Sequence, residues 1–205
     1  MTLVPRILTG VLLAAAAVCS HAALVYSSAS AFLNNVQPGA YTETFTGVAD
    51  ANTNTQSFSG GYGNGYSFTA SVASGQQFYF GADSLSTNDP NTAITLTFTG
   101  NTVTAIGGNF FNINQSDAFT AAVVSILLSD GTSAVFNSST FANSYVGFTS
   151  HSAISSITFQ GGSGAGLFAT IDNLTIGASV PEPASLALVA VAFAGLAGSR
   201  RRKAA

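Results

Sequence analysis

Ala93-Ile94-Thr95-Leu96-Thr97-Phe98-Thr99 alternates apolar and hydroxyl residues without a break. That is the period of a strand with one face buried and one face wet. The texture extends in both directions. Tyr41-Thr42-Glu43-Thr44-Phe45 and residues 65–72, 76–80, 154–159 and 167–176 also predict strands. Residues 118–128 are more apolar and predict a strand buried on both faces, with a helix as the alternative. Asp130-Gly131 favours the strand, because this dipeptide suits a tight hairpin turn and sits between Ile126-Leu127-Leu128 and Ala134-Val135-Phe136. Gly107-Gly108 inside another strand-like stretch signals a bulge or a close backbone approach. Residues 51–56 and 59–66 are polar or Gly-rich and read as loops. No long amphipathic helix pattern interrupts these strands, and no internal repeat is visible. The expected fold is all-β: a jelly-roll-like β-sandwich over residues 23–179.

The 205-residue chain has a net charge of -3, unevenly spread. Its Lys and Arg residues are Arg6, Arg200, Arg201, Arg202 and Lys203, all terminal. The body carries only carboxylates: Glu43, Asp50, Asp83, Asp89, Asp117, Asp130 and Asp172. It has no basic patch for phosphates, which excludes nucleic acid as a partner. It has no electrostatic attraction to anionic lipid or acidic polysaccharide unless a cation bridges them. Charge is too low and apolar residues too frequent for disorder. The single cysteine, Cys19, lies in the N-terminal apolar run, so the body has neither disulfide nor thiol nucleophile. The body is nevertheless long enough to bury a core.

Residues 1–22 read as a signal peptide, expected to be helical. Arg6 forms the positive region, an apolar run follows, and Ser20-His21-Ala22 offers a cleavage site. The run is about 12 residues, against about 20 for a membrane span. The implied partners are the Sec translocon and signal peptidase. Val18 and Ala16 fit poorly with lipid attachment at Cys19.

At the other end, Pro181 and Pro183 stiffen the backbone around one carboxylate, Glu182. An uncharged hydrophobic segment, residues 184–199, follows, and then the basic tail Arg200, Arg201, Arg202 and Lys203. Such a segment is expected to form a short transmembrane helix with the tail on the cytoplasmic side. The order Val180-Pro181-Glu182-Pro183-Ala184-Ser185, apolar run, basic end resembles the PEP-CTERM sorting signal of exported bacterial proteins. The resemblance covers residues 180–205 and assigns Pro181, Glu182 and Pro183 as the sorting motif. It implies processing by an exosortase, a membrane-embedded transpeptidase, in a Gram-negative bacterium that makes exopolysaccharide and biofilm. The protein is then exported, transiently anchored, and finally at the cell surface or outside the cell.

Candidate chemistry in the body is sparse. His151 is its only histidine, beside Ser150 and Ser152, and no Gly-x-Ser-x-Gly elbow frames a serine. Gly162-Ser163-Gly164 lacks that frame. Glu43 is the sole body glutamate, which argues against a two-carboxylate glycosidase. No His or Cys cluster suits zinc. The protein is expected to be non-enzymatic and to need no cofactor beyond a structural calcium. Thr170-Ile171-Asp172-Asn173-Leu174-Thr175-Ile176 resembles the last strand of many carbohydrate-binding jelly rolls. That resemblance puts Glu43 and Asp172 in the role of calcium ligands. The plainer alternative for Asp172 is a solvated carboxylate beside a turn. Tyr62 and Tyr66, in a Gly-rich stretch, are candidates to stack on sugar rings, or are simply exposed turn residues. The expected role is that of a cell-surface or matrix protein associated with extracellular polysaccharide. The alternative is a carbohydrate-binding module supported by calcium.

Overall fold

The computed structural model describes residues 23–49, 52–60, 65–81 and 83–181. The signal peptide (1–22), the hydrophobic segment (184–199) and the basic tail (200–203) lie outside these residues, as do Asp50, Tyr62, Glu182 and Pro183. The strands are β1 Leu24–Tyr26, β2 Tyr41–Glu43, β3 Thr55–Ser59, β4 Tyr66–Ser71, β5 Phe78–Tyr79, β6 Leu85–Thr87, β7 Ala93–Gly100 and β8 Ala105–Ile113. They continue with β9 Phe119–Thr120, β10 Ala122–Leu128, β11 Ser133–Ser138, β12 Tyr145–Thr149, β13 Ser156–Gln160 and β14 Phe168–Gly177. One short helix, α1, spans Ala29–Leu33.

Among the described residues two antiparallel sheets form. One runs β1-β12-β8-β14-β6-β5, with β2 also on β14 and β9 also on β8. The other runs β11-β10-β13-β7-β4-β3. From β7 onward the chain repeatedly crosses between them, so the two inner faces close over one core. Phe68, Ile94, Leu96, Ile126 and Phe159 of the second sheet meet Leu85, Ile106, Phe110, Ile171 and Leu174 of the first. Phe110 and Phe159 touch across the gap, with ring centres 5.3 Å apart.

The alternating stretch is β7, with Ile94 and Leu96 fully buried. It is flanked on both sides, by β4 and β13. The region 118–128 departs from expectation. It breaks into β9 and β10, which belong to different sheets. β10 is buried on one face only, leaving Val123 and Leu127 exposed, because its other face points away from the core. β8 is buried on both faces instead: α1 covers it at one end, and Phe119 and Phe141 cover it near Phe111. The Asp130-Gly131 hairpin forms between β10 and β11. Gly131 N–H closes a turn on the Leu128 carbonyl, with Gly131 at φ 87°. The turn therefore needs three residues between Leu128 and Thr132, and glycine takes the left-handed position.

Other strands are shorter than their sequence suggests. β2 stops at Glu43 because Phe45 turns to φ 56°. Residues 76–80 pair only at Phe78–Tyr79. Thr55 and Gln56, expected in a loop, open β3. The bulge signalled by Gly107-Gly108 lies on the partner strand. β14 places Asn173 and Leu174 between the pairs Asp172↔Asn109 and Thr175↔Gly107, with Asn173 at φ 50°.

Gly107 answers a different demand. It pairs with Gly147 of β12, and the two glycines open a slot on the outer face of the sheet. Phe32 of α1 fills this slot, fully buried, with Tyr26 and Tyr145 on its flanks. Ser28 caps α1 by accepting from the Ala31 N–H. Burying a Phe ring contributes about 1.5–3 kcal/mol, which is enough to hold so short a helix in place.

Candidate functional site

The chain leaves the sandwich through a strap of hydrogen bonds over residues 178–180. Gln37 N–H donates to the Ala178 carbonyl at 2.8 Å, and Gln37 Nε2 donates to the Ser179 carbonyl at 2.9 Å. Ser179 N–H donates to Thr104 Oγ1 at 2.8 Å, and Ser179 Oγ donates to the Ser150 carbonyl at 3.2 Å. Val180 N–H donates to the Asn35 carbonyl at 2.9 Å. Ser179 also bridges Val36 as an isolated antiparallel pair. Pro181 comes next and has no N–H to give. The N-terminal entry lies beside this exit, since Leu24 pairs with Thr149 at the start of β1. Leu24, Val180 and Pro181 share the wall of one cavity of about 260 Å3 with Thr149, Ser150 and His151.

Ser150 does not face a histidine with its proton. Its hydroxyl donates to Asp130 Oδ2 at 2.9 Å and accepts from Ser152 N–H at 3.1 Å. Asp130 Oδ1 takes the Thr132 N–H at 2.9 Å. This is a loop clamp joining the β10–β11 turn to the end of β12. A nucleophilic serine instead needs its proton directed at a base.

The two carboxylates assigned to calcium stand on neighbouring strands, with Glu43 opposite Leu174. Their side chains are differently engaged. Glu43 takes the Tyr41 hydroxyl and the Phe45 N–H, closing on its own strand end. Burial and the Glu43 carboxylate push the Tyr41 phenol up from its ordinary range. Asp172 takes the Asn173 backbone N–H at 2.6 Å and the Asn173 side-chain amide at 2.8 Å. Burial raises its pKa, the Asn173 N–H opposes that shift, and the nearby Asp83 adds to it. The charge acting on Asp172 is thus Asp83, which no residue pattern singles out. Among the described residues, no group of three or more His, Cys, Asp or Glu is placed to hold a metal ion.

The family model for the PEP-CTERM protein-sorting motif matches residues 179–202. The chain carries a PEP-CTERM sorting signal. The match begins at Ser179, inside the strap, so the PEP-CTERM signal and the folded body overlap by Ser179, Val180 and Pro181. The signal implies export, processing by an exosortase and membrane-associated sorting to the surface of a Gram-negative cell. Comparison with curated proteins yields no match, and comparison with solved structures yields none. No helix among the described residues is long and apolar enough to cross a membrane, and the PEP-CTERM hydrophobic segment lies outside them.

Away from the PEP-CTERM signal, the outer face of the first sheet holds a cavity of about 350 Å3. Ile113 and Phe168 give it apolar surface, and Asn88, Asn114, Asp117 and Tyr79 give it polar groups. Tyr79 hydroxyl donates to Asp117 Oδ2 at 2.8 Å, joining β5 to the turn after β8. Asn114 Oδ1 builds that turn by accepting the N–H groups of Ser116 and Ala118. Sequence reasoning missed this cavity. The polar run Asn114-Gln115-Ser116-Asp117 directly after an apolar strand was the available signal. Tyr66, where the expected Gly-rich loop 59–66 and the expected strand 65–72 overlap, is the first residue of β4 and packs against the core.

Proposed function

We propose that this is a non-enzymatic, exopolysaccharide-associated protein of the cell surface or extracellular matrix, delivered by its PEP-CTERM signal. The match over residues 179–202 carries the reading. A Sec translocon and signal peptidase act at residues 1–22, and an exosortase acts at Pro181-Glu182-Pro183. The basic tail stays on the cytoplasmic side until processing. A jelly-roll-like body without Lys, Arg or Cys remains outside. Catalysis is disfavoured by the engagement of Ser150 with Asp130. The test is mature mass and location in a host with the exosortase. Glu182→Ala, or deletion of residues 200–203, should leave unprocessed precursor in the membrane. Unchanged mass and location refute the proposal.

A second reading, a carbohydrate-binding module with calcium support, is favoured by the Tyr79–Asp117 cavity. Carboxylate, carboxamide and phenol groups above an apolar floor suit neutral sugar hydroxyls and ring faces. A structural calcium would have to draw Glu43 and Asp172 out of the hydrogen bonds that engage them. Glycan binding measured with and without chelator separates the two ideas. Absence of binding to any neutral glycan removes this second reading.

A further inference from the structure

We propose that the end of the sandwich around the strap is a docking surface for the membrane-embedded transpeptidase, so that the enzyme reads the folded body together with the tripeptide. This rests on the PEP-CTERM reading above and extends it. The last strap hydrogen bond is made by Val180, and the tripeptide begins at the next residue. One trans peptide advances the chain 3.8 Å between Cα atoms, so the Glu182 Cα stands within about 8 Å of that of Val180 whatever path the chain takes. An enzyme cleft that holds Glu182 must therefore touch the body. The surface it meets is the cavity lined by Leu24, Asn35, Thr149, His151, Val180 and Pro181.

That surface has the character of a protein contact. Leu24 is 57 % exposed and Val180 48 % exposed, and hydrogen-bonding groups surround them. Lipid headgroups are a poorer occupant, because the body has no Lys or Arg to meet an anionic bilayer. Continuity with the sorting motif selects the transpeptidase. Pro181 belongs at once to the motif, to the cavity wall and to the folded chain. The strap sets the distance. With residues 178–180 held from Gln37, Asn35 and Thr104, the body brings its own surface to the enzyme with each tripeptide.

Pulse-chase conversion of full-length precursor, in a host with the transpeptidase, tests this. Asn35→Arg and His151→Arg place bulk and charge at the rim and leave every residue from Ser179 onward unchanged. Each should slow conversion about tenfold, the equivalent of about 1.4 kcal/mol of lost docking. A Gly-Ser insert of about eight residues between Val180 and Pro181 adds about 15 Å of mean reach, lets the cleft take the tripeptide clear of the rim, and should make the rim variants convert at the rate of the insert-bearing parent. Limited proteolysis of the same precursors reports whether they fold. Wild-type rates in both rim variants overturn docking. A rim variant that stays slower than the parent when both carry the insert overturns it as well, since the fault is then in folding. Glu182→Ala run alongside separates the two levels: if it too converts normally, the sorting reading itself fails.

Discussion

The glycine slot under α1 offers the sharpest test of how this sheet is packed. A Cβ built on Gly147 would stand 2.6 Å from Phe32 Cδ2, 2.7 Å from Cγ and 2.9 Å from Cβ. Carbon atoms prefer about 3.5–4.0 Å, so the ring must retreat by about 1 Å. It has little room, because Tyr26 and Tyr145 hold it at ring-centre distances of 6.1 and 6.2 Å. Overpacking of this kind costs about 1–3 kcal/mol, which is the expected loss for Gly147→Ala. Phe32→Ala alone should cost about 3–5 kcal/mol, the range for a fully buried Phe. Together the two changes should not add. With the ring gone, the contacts to Cδ2 and Cγ vanish and only the one to the residue 32 Cβ, at 2.9 Å, remains, so Gly147→Ala costs much less in the Phe32→Ala background than alone. The coupling then equals the share of the Gly147→Ala loss that the ring contacts cause, on the order of 1 kcal/mol. Urea unfolding of the mature protein and the three variants measures it, provided the denaturant slope is constant across the set. Additivity within about 0.5 kcal/mol refutes the slot, because residues that do not share a contact behave that way.

Three further outcomes follow from particular contacts. Asp172 has a folded-state pKa above its ordinary value of 3.8, so folding favours its protonated form. The stability this gives is complete below the unfolded pKa and is lost as pH rises through the folded one. Asp172→Asn should therefore be more stable than the parent at neutral pH, with the gap closing below about pH 4. A gap in urea midpoints that widens in acid contradicts this. Thr104→Val removes the acceptor of Ser179 N–H and should cost about 1 kcal/mol, with faster proteolysis at the strap. Finally, a body without Lys or Arg has no ion pairs of those residues for salt to weaken. Its thermal midpoint should hold or rise from low salt to about 1 M NaCl, and a fall would mean that attractive charge pairs matter.

What could be read from the chain was what is local. β7 was legible because both its ladders are filled and one face alone meets the core, so its side chains report the period directly. β3 was not, because Phe58 is its one buried side chain and Thr55, Ser57 and Ser59 are wet. β12 was hidden for the opposite reason. Both its faces are covered, and Gly147, which resembles a turn residue in sequence, is there to admit Phe32. The sorting signal is contiguous and was legible as such. The strap that holds it draws on Asn35, Gln37, Thr104 and Ser150, and Gln37 lies 142 positions from the Ser179 it binds. The pairing of Glu43 and Asp172 was half visible. Their strands do lie side by side, but the bulge at Asn173 redirects the second carboxylate, and no residue pattern announces that.

The same reasoning explains why the body can do without positive charge. Among the described residues, serine and threonine hydroxyls bond one another across strands at these register positions: Thr42 and Thr175, Ser57 and Thr69, Ser67 and Thr99, Ser86 and Thr170, Thr95 and Thr158. In each pair one hydroxyl donates to the other, at 2.8 to 3.4 Å. Each contributes about 0.2–1 kcal/mol, comparable to an exposed ion pair and without its dependence on ionic strength. The alternating threonines of β7 thus serve two purposes. They set the strand period and they make the lateral contacts that charged residues make elsewhere. The Lys and Arg residues are confined to the ends of the chain. The body between those ends carries hydroxyl ladders and carboxylates, and its cohesion does not depend on the salt around it.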